Sequence, residues 1–146
     1  MIEDFETFRR DFDGQPLQRL LGITLVERRR GFGRICLTRT SDTPRGIGGS
    51  VHGGVLAAMV DAAMLVAVFS DPRPDQQAAG TADLGITYLR PAHGLRVFAD
   101  ATVVKHGRQL AVIEVVITDD EGDLCAKGRV LYAFRPLVSG AANTLD

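Results

Sequence analysis

Cysteine, histidine and net charge are all scarce in this chain, and each scarcity removes a class of function. Cys36 and Cys125 are its two cysteines. They lie far apart in apolar, strand-like surroundings without CxxC spacing, so they read as packed, reduced thiols rather than a disulfide framework or thiolate metal site. His52, His93 and His106, the three histidines, have no spacing typical of a zinc site, and no metal is expected. A net charge of -1 makes no general electrostatic case for nucleic acid or an acidic membrane surface as a partner. No apolar run reaches the roughly 20 residues that cross a bilayer. The start, MIEDFETFRR, is acidic and amphipathic, without the basic start and apolar centre of a secretion signal. A cytoplasmic protein is expected. There is no internal repeat and no low-complexity segment.

What is present is the material for one core. A chain of 146 residues, 45% hydrophobic, has the size of one domain, expected over 1–146. Phe5, Phe8 and Phe12 recur at helical spacing before Gly14, and Pro16 to Leu21 adds another helical turn, which predicts an N-terminal helical segment over about 2–21. Ile23 to Arg30 and Arg34 to Thr40 read as strands joined across Gly31-Phe32-Gly33. The Arg28-Arg29-Arg30 run reads as a solvated strand end. SDTPRGIGG, Ser41 to Gly49, is a loop by its turn formers. Four more strands are predicted, Thr81 to Leu89, Leu95 to Lys105, Gln109 to Thr118 and Leu124 to Phe134, with Leu95, Val97, Ala99, Ala101 and Val103 alternating with more polar neighbours. A loose tail is expected over about 137–146.

Between loop and strands lies VHGGVLAAMVDAAMLVAVFS, Val51 to Ser70, a helix apolar on nearly every side. Short links imply antiparallel strands. An α+β architecture is expected, a curved antiparallel sheet wrapped around one long central helix, because that arrangement best buries a helix greasy on more faces than a surface position tolerates. Behind its His-Gly-Gly entrance the helix carries one ionisable group, Asp61. A carboxylate so placed is either satisfied locally or chemically employed. At the helix entrance Gly53 and Gly54 have no side chains, so first-turn backbone N–H groups can approach a ligand oxygen, as in an oxyanion hole.

PLQRLLGI before the first strand, GSVHGGVLAAMVDAAM at the central helix, GITYLRPA, KHGRQLAVIEVVITDDEG and AKGRVLYAFRP occur in this order. With these motifs the chain resembles the hot-dog-fold acyl-CoA thioesterases, in particular the phenylacetic-acid-degradation type. The resemblance implies that the Gly53 N–H polarises a thioester carbonyl. Gly54 and Gly46 would lie along the substrate, and His52 would shape the helix entrance. Asp61 would be the catalytic carboxylate, as general base on water or as nucleophile, with Thr81 helping to place water or the acid. It also implies an acyl-CoA substrate, no separate cofactor because coenzyme A is part of the substrate, and CoA phosphates held by Arg90, Lys105, His106 and Arg108. A homodimer, arranged as a dimer of dimers, would complete the assembly.

Gly53 and Asp61 are eight residues apart, roughly 12 Å along a helix. One chain cannot bring both to one carbonyl, so a shared reaction requires a second copy with its helix antiparallel. The chain departs from the family where relatives carry Asn, having Gly46 six residues before the motif His and Gly85 on the third strand. The missing amides keep open an alternative, a non-catalytic acyl-CoA or lipid-binding module.

Overall fold

The computed structural model describes residues 3–137. Two short helices, α1 (Phe5–Asp13) and α2 (Pro16–Leu21), precede β1 (Ile23–Arg29), β2 (Phe32–Thr38), a 3-10 turn at Ile47–Gly49, the long α3 (Gly53–Val68), and then β3 (Gln76–Tyr88), β4 (Arg96–His106), β5 (Leu110–Asp119) and β6 (Leu124–Pro136). The predicted N-terminal helical segment is thus broken at Gly14 and Gln15. Asp4 caps α1 by accepting the Thr7 N–H, and Pro16 begins α2, where its missing N–H costs nothing. The predicted tail falls outside the described residues except for Leu137, whose N–H donates to the Asp75 carbonyl.

The strands form one antiparallel sheet in the order β1-β2-β4-β5-β6-β3. α3 contacts all six strands, which is the sheet-around-helix arrangement its apolar sequence requires. Met59, Val60, Met64 and Val66 are completely buried, each contributing about 1.5 to 3 kcal/mol by leaving water. Facing them are alternate residues of the sheet: Ile35 and Leu37 from β2, Val97, Ala99 and Ala101 from β4, and Ile113, Val115 and Ile117 from β5. Leu95 breaks the predicted alternation. It lies just before β4 and is exposed, because its N–H is held by the Asp120 carboxylate.

Several boundaries differ from those read in the sequence. β1 and β2 are joined by Arg30 and Gly31 alone, with Phe32 and Gly33 already in the strand. Gly31 supplies the turn, at φ 75. Gly33 serves another purpose: a Cβ there would lie 2.7 Å from Val66 Cβ, so its bare backbone lets α3 lie against β2. Gly128 does the same on β6 beneath Val60.

Arg28 is not a solvated strand end either. Its guanidinium donates to the Phe69 carbonyl at 2.7 Å, capping the end of α3, and lies 3.8 Å from the centre of the Phe8 ring. A cation at a helix C-terminus is favoured by the helix dipole. Arg29, over Phe32, and Arg30, 3.4 Å from Asp71, are the exposed members of the run. Cys36 and Cys125 are buried free thiols, and burial pushes both upward in pKa.

Candidate active site

His52 is the N-cap of α3 and caps it through its ring, whose Nδ1 accepts the Gly54 N–H at 2.9 Å. The Gly54 donor is therefore engaged within the protomer. The Gly53 N–H, one residue earlier, has no partner among the described residues. The Gly53 carbonyl accepts a 2.6 Å hydrogen bond from the Tyr88 hydroxyl, so the 53–54 peptide is held at both ends. A Cβ on Gly53 would lie 3.2 Å from the Tyr88 ring, which favours glycine at that position. Tyr88 attracts notice in the sequence only as an aromatic near the end of a strand; its hydroxyl partner lies 35 residues away.

This helix entrance borders a cleft of about 390 Å³, lined among others by Gly46, Ile47, Gly53, Gly54, Tyr88 and Arg90. Gly46 is held by its own N–H donating to the Ser50 carbonyl, and its backbone is extended. A Cβ there would meet nothing nearer than 3.4 Å, and one on Gly85 would meet nothing within 4 Å. Neither glycine is demanded by the backbone.

Asp61 lies two turns further along α3, partly exposed. The Thr81 hydroxyl donates to its Oδ1 at 2.7 Å. The reach of Thr81 has a backbone cause. Leu84, Ile86 and Tyr88 are on the helix side of β3, so simple alternation would turn odd-numbered residues away. Register irregularities at Ala78/Gly80 and Thr81/Asp83 flank Thr81, and an extra residue shifts the parity so that this hydroxyl faces α3. β3 begins at Gln76 rather than Thr81 as predicted, because pairing with β6 carries it through those bulges.

Asp61 borders a second cavity, of about 450 Å³, between α3 and the two N-terminal helices; Phe8, Phe12, Gln18, Leu65 and Phe69 also line it. Tyr132, paired across the sheet with Thr81, is pushed up in pKa first by burial and then by the Asp61 charge, so it stays a neutral phenol. Gln18 is 7% exposed, whereas Leu17 and Leu20 on the same short helix are 45% and 80% exposed. Sequence pattern points the other way, since leucines ordinarily turn inward and glutamine outward. Within one protomer the Gly53 donor and the Asp61 carboxylate thus border different cavities, in keeping with their roughly 12 Å separation along the helix.

The four basic candidates divide into two groups. Arg90 lines the entrance cleft and lies 3.3 Å from Asp123. Lys105, His106 and Arg108 lie at the other end of the sheet. Tyr88 pairs with Ala126, and His106 pairs through Ala111 with Tyr132, which places the groups about 20 Å apart along β6. His106 is engaged internally: its Nε2 is 2.7 Å from the Gln76 amide oxygen, and its ring stacks on Phe134 at 4.9 Å. Because an amide oxygen only accepts, Nε2 carries the hydrogen. Burial and then Arg73 depress its pKa, against the pull of Asp71. Lys105 and Arg108 are exposed.

Among the described residues no helix is long and apolar enough to cross a membrane. The sequence profile of the Thioesterase superfamily matches residues 48–126, from the loop before α3 into the start of β6. Human acyl-coenzyme A thioesterase 13 is 35% identical over 116 residues, covering 77% of this chain and 80% of its own. The medium/long-chain acyl-CoA thioesterase YigI of Escherichia coli is 29% identical over 133 residues, 80% of this chain and 84% of its own. Among solved structures, the E. coli PaaI protein from the phenylacetic acid degradation operon superposes with a TM-score of 0.72 at 25% identity, covering 85% of this chain and 90% of that one. Sheet order, the enclosed helix and the matched span agree with the hot-dog architecture, and the chain belongs to the thioesterase superfamily.

Proposed function

We propose that the protein is a cytoplasmic acyl-CoA thioesterase that hydrolyses a small or medium acyl-CoA, aromatic or aliphatic, to the free acid and coenzyme A. The observation that carries this reading is the Thr81 hydroxyl on Asp61 Oδ1 at 2.7 Å. It orients a carboxylate on an otherwise apolar helix and leaves the second oxygen free to act on water. An unpaired Gly53 N–H at the start of the same helix supports the reading, since a fixed donor at the developing oxyanion is worth roughly 3 to 4 kcal/mol. Thioesters are reactive enough that donor and base suffice; no cofactor is invoked.

The two groups act together only across a dimer. β3 is thirteen residues long and pairs along one edge with β6, leaving the other edge as a template for a second copy. A two-fold axis near Gly85 would set the helices antiparallel and bring Gly53 of one protomer toward Asp61 of its partner. The same axis would bring the Arg90 end of one protomer toward the Lys105 and Arg108 end of the other, offering cations from both to the CoA phosphates. A pair of such dimers would give the tetramer. The second cavity, with Phe8, Phe12, Leu65 and Phe69 on its walls, suits an apolar acyl group. The phenylacetic-acid type of substrate falls within this reading.

The test is thiol release from a panel of aromatic and aliphatic acyl-CoAs by the unmodified protein and by Asp61→Asn and Asp61→Ala. Turnover in the parent, lost in both variants while acyl-CoA still binds, is expected. Tight binding without turnover in the parent would instead establish the non-catalytic acyl-CoA-binding module. For the shared site, Asp61→Asn subunits mixed with subunits carrying Gly53→Val should regain partial activity. Absence of recovery in verified mixed dimers would overturn sharing.

A further inference from the structure

We infer that Gln18 is the second ligand of the hydrolytic water, holding it against Asp61. The inference rests on the thioesterase reading and adds to it a residue outside the helix-entrance and carboxylate motifs. Gln18 is 93% buried as a residue, its carboxamide has no hydrogen-bond partner among the described residues, and the small part it leaves accessible includes the amide atoms. An amide that reaches a cavity and has no protein partner there is free to bind a water or a ligand. It lines the cavity that Asp61 lines. The cavity's other polar wall residues, Glu3, Asp11 and Gln15, are exposed and already in solvent. Gln18 and Asp61 are the two polar wall residues that are not fully open to solvent.

The chemistry of the attack needs such a pair. A water molecule presents a lone pair to a carbonyl carbon most effectively when both its hydrogens are engaged elsewhere. Thr81 occupies Asp61 Oδ1, so Oδ2 accepts one hydrogen of the water and Gln18 Oε1 the other. As the water oxygen bonds to the thioester carbon, its first proton passes to Asp61 and the carbonyl electrons move to the oxygen held by the Gly53 N–H. Collapse of the tetrahedral adduct breaks the carbon–sulfur bond, and the departing thiolate takes the proton from Asp61. The free acid and the thiol account for all atoms. Gly46 and Gly85 carry no side chain that could hold a water; a Cβ on Gly46 would already be in contact at 3.4 Å, and one on Gly85 would meet nothing within 4 Å. A cavity of about 450 Å³ holds an acyl group and still admits a water, whose share of liquid volume is about 30 Å³.

The decisive variant is Gln18→Met, which keeps the length and removes the polar atoms; Gln18→Leu serves as a second. Steady-state thioester hydrolysis, thermal unfolding and partitioning to hydroxylamine are measured on each. We expect kcat to fall about tenfold to a hundredfold with KM within about twofold, the order of loss that misplacing a reactant produces. Thermal midpoints should change little, because the amide has no protein hydrogen bond to lose. The ratio of hydroxamate to free acid should rise, since a stronger nucleophile depends less on being positioned. A parent-like kcat in folded variants would overturn the assignment, as would a raised KM at unchanged kcat, which would make Gln18 a substrate contact. An unchanged hydroxamate ratio would count against it equally. If the parent itself releases no thiol, the thioesterase reading fails first and the water role with it; failure confined to the Gln18 variants leaves that reading standing.

Discussion

Thr81 and Asp61 meet across the gap between an edge strand and a helix, hydroxyl to carboxylate at 2.7 Å, from positions 20 residues apart. The contact depends on two register irregularities in β3 that turn one odd-numbered side chain toward α3. A carboxylate on an apolar helix is thereby given a fixed orientation while its second oxygen stays free.

Thr81→Val keeps the shape and removes the donor. A hydrogen bond to a charged group is worth roughly 1.5 to 3 kcal/mol, so kcat for thioester hydrolysis should fall about tenfold or more, with little change in thermal midpoint at this exposed position. Thr81→Ser should restore most of the loss. Steady-state kinetics on the three proteins decide it, and a fully active Thr81→Val would remove Thr81 from the machinery.

Gly128 marks where β6 touches the central helix. A Cβ there would lie 2.6 Å from Val60 Cγ1, so Gly128→Ala should destabilise by about 1 to 3 kcal/mol through overpacking. Val60→Ala makes room, and the double variant should be less unstable than the sum of the single ones. Denaturant unfolding of all four proteins measures the coupling; strict additivity would show that the close approach carries no strain.

His106 links stability to acid. Burial, then the Arg73 charge, hold it below its ordinary value of 6.5, with Asp71 opposing. As pH falls the unfolded chain therefore takes up the proton before the folded one does. The contribution is complete above 6.5 and is lost as pH falls through 6.5 and on through the lower folded value. The thermal midpoint should drop between about pH 7 and 5, with part of that drop missing in His106→Gln. Identical pH profiles for the two proteins would contradict the linkage.

Several site features were legible without coordinates because they are local. HGG at a helix start, Asp61 on the apolar helix, and their eight-residue separation need only helical geometry and sequence. Other features were illegible because they arise between distant segments. Gly33 looks like part of a turn until Val66 is seen pressed against it. Arg28 looks solvated until the end of α3 arrives beneath it. Gln18 belongs to PLQRLLGI and attracts no notice, because nothing in six residues tells which side of a short helix will face a cavity. Lys105, His106 and Arg108 look like companions of Arg90 until the sheet places them at its opposite end.

By itself the sequence determined that an apolar helix must be surrounded, that short-linked alternating strands must surround it, and that Gly53 and Asp61 cannot serve one carbonyl within one chain. Periodicity and rise per residue are properties of the chain alone. Only the tertiary structure decided which hydroxyl reaches Asp61, which amide shares its cavity and which histidine is tied to a glutamine and a phenylalanine ring. Those outcomes depend on strand register, bulges and helix seating, which are settled when residues far apart in sequence compete for the same buried space.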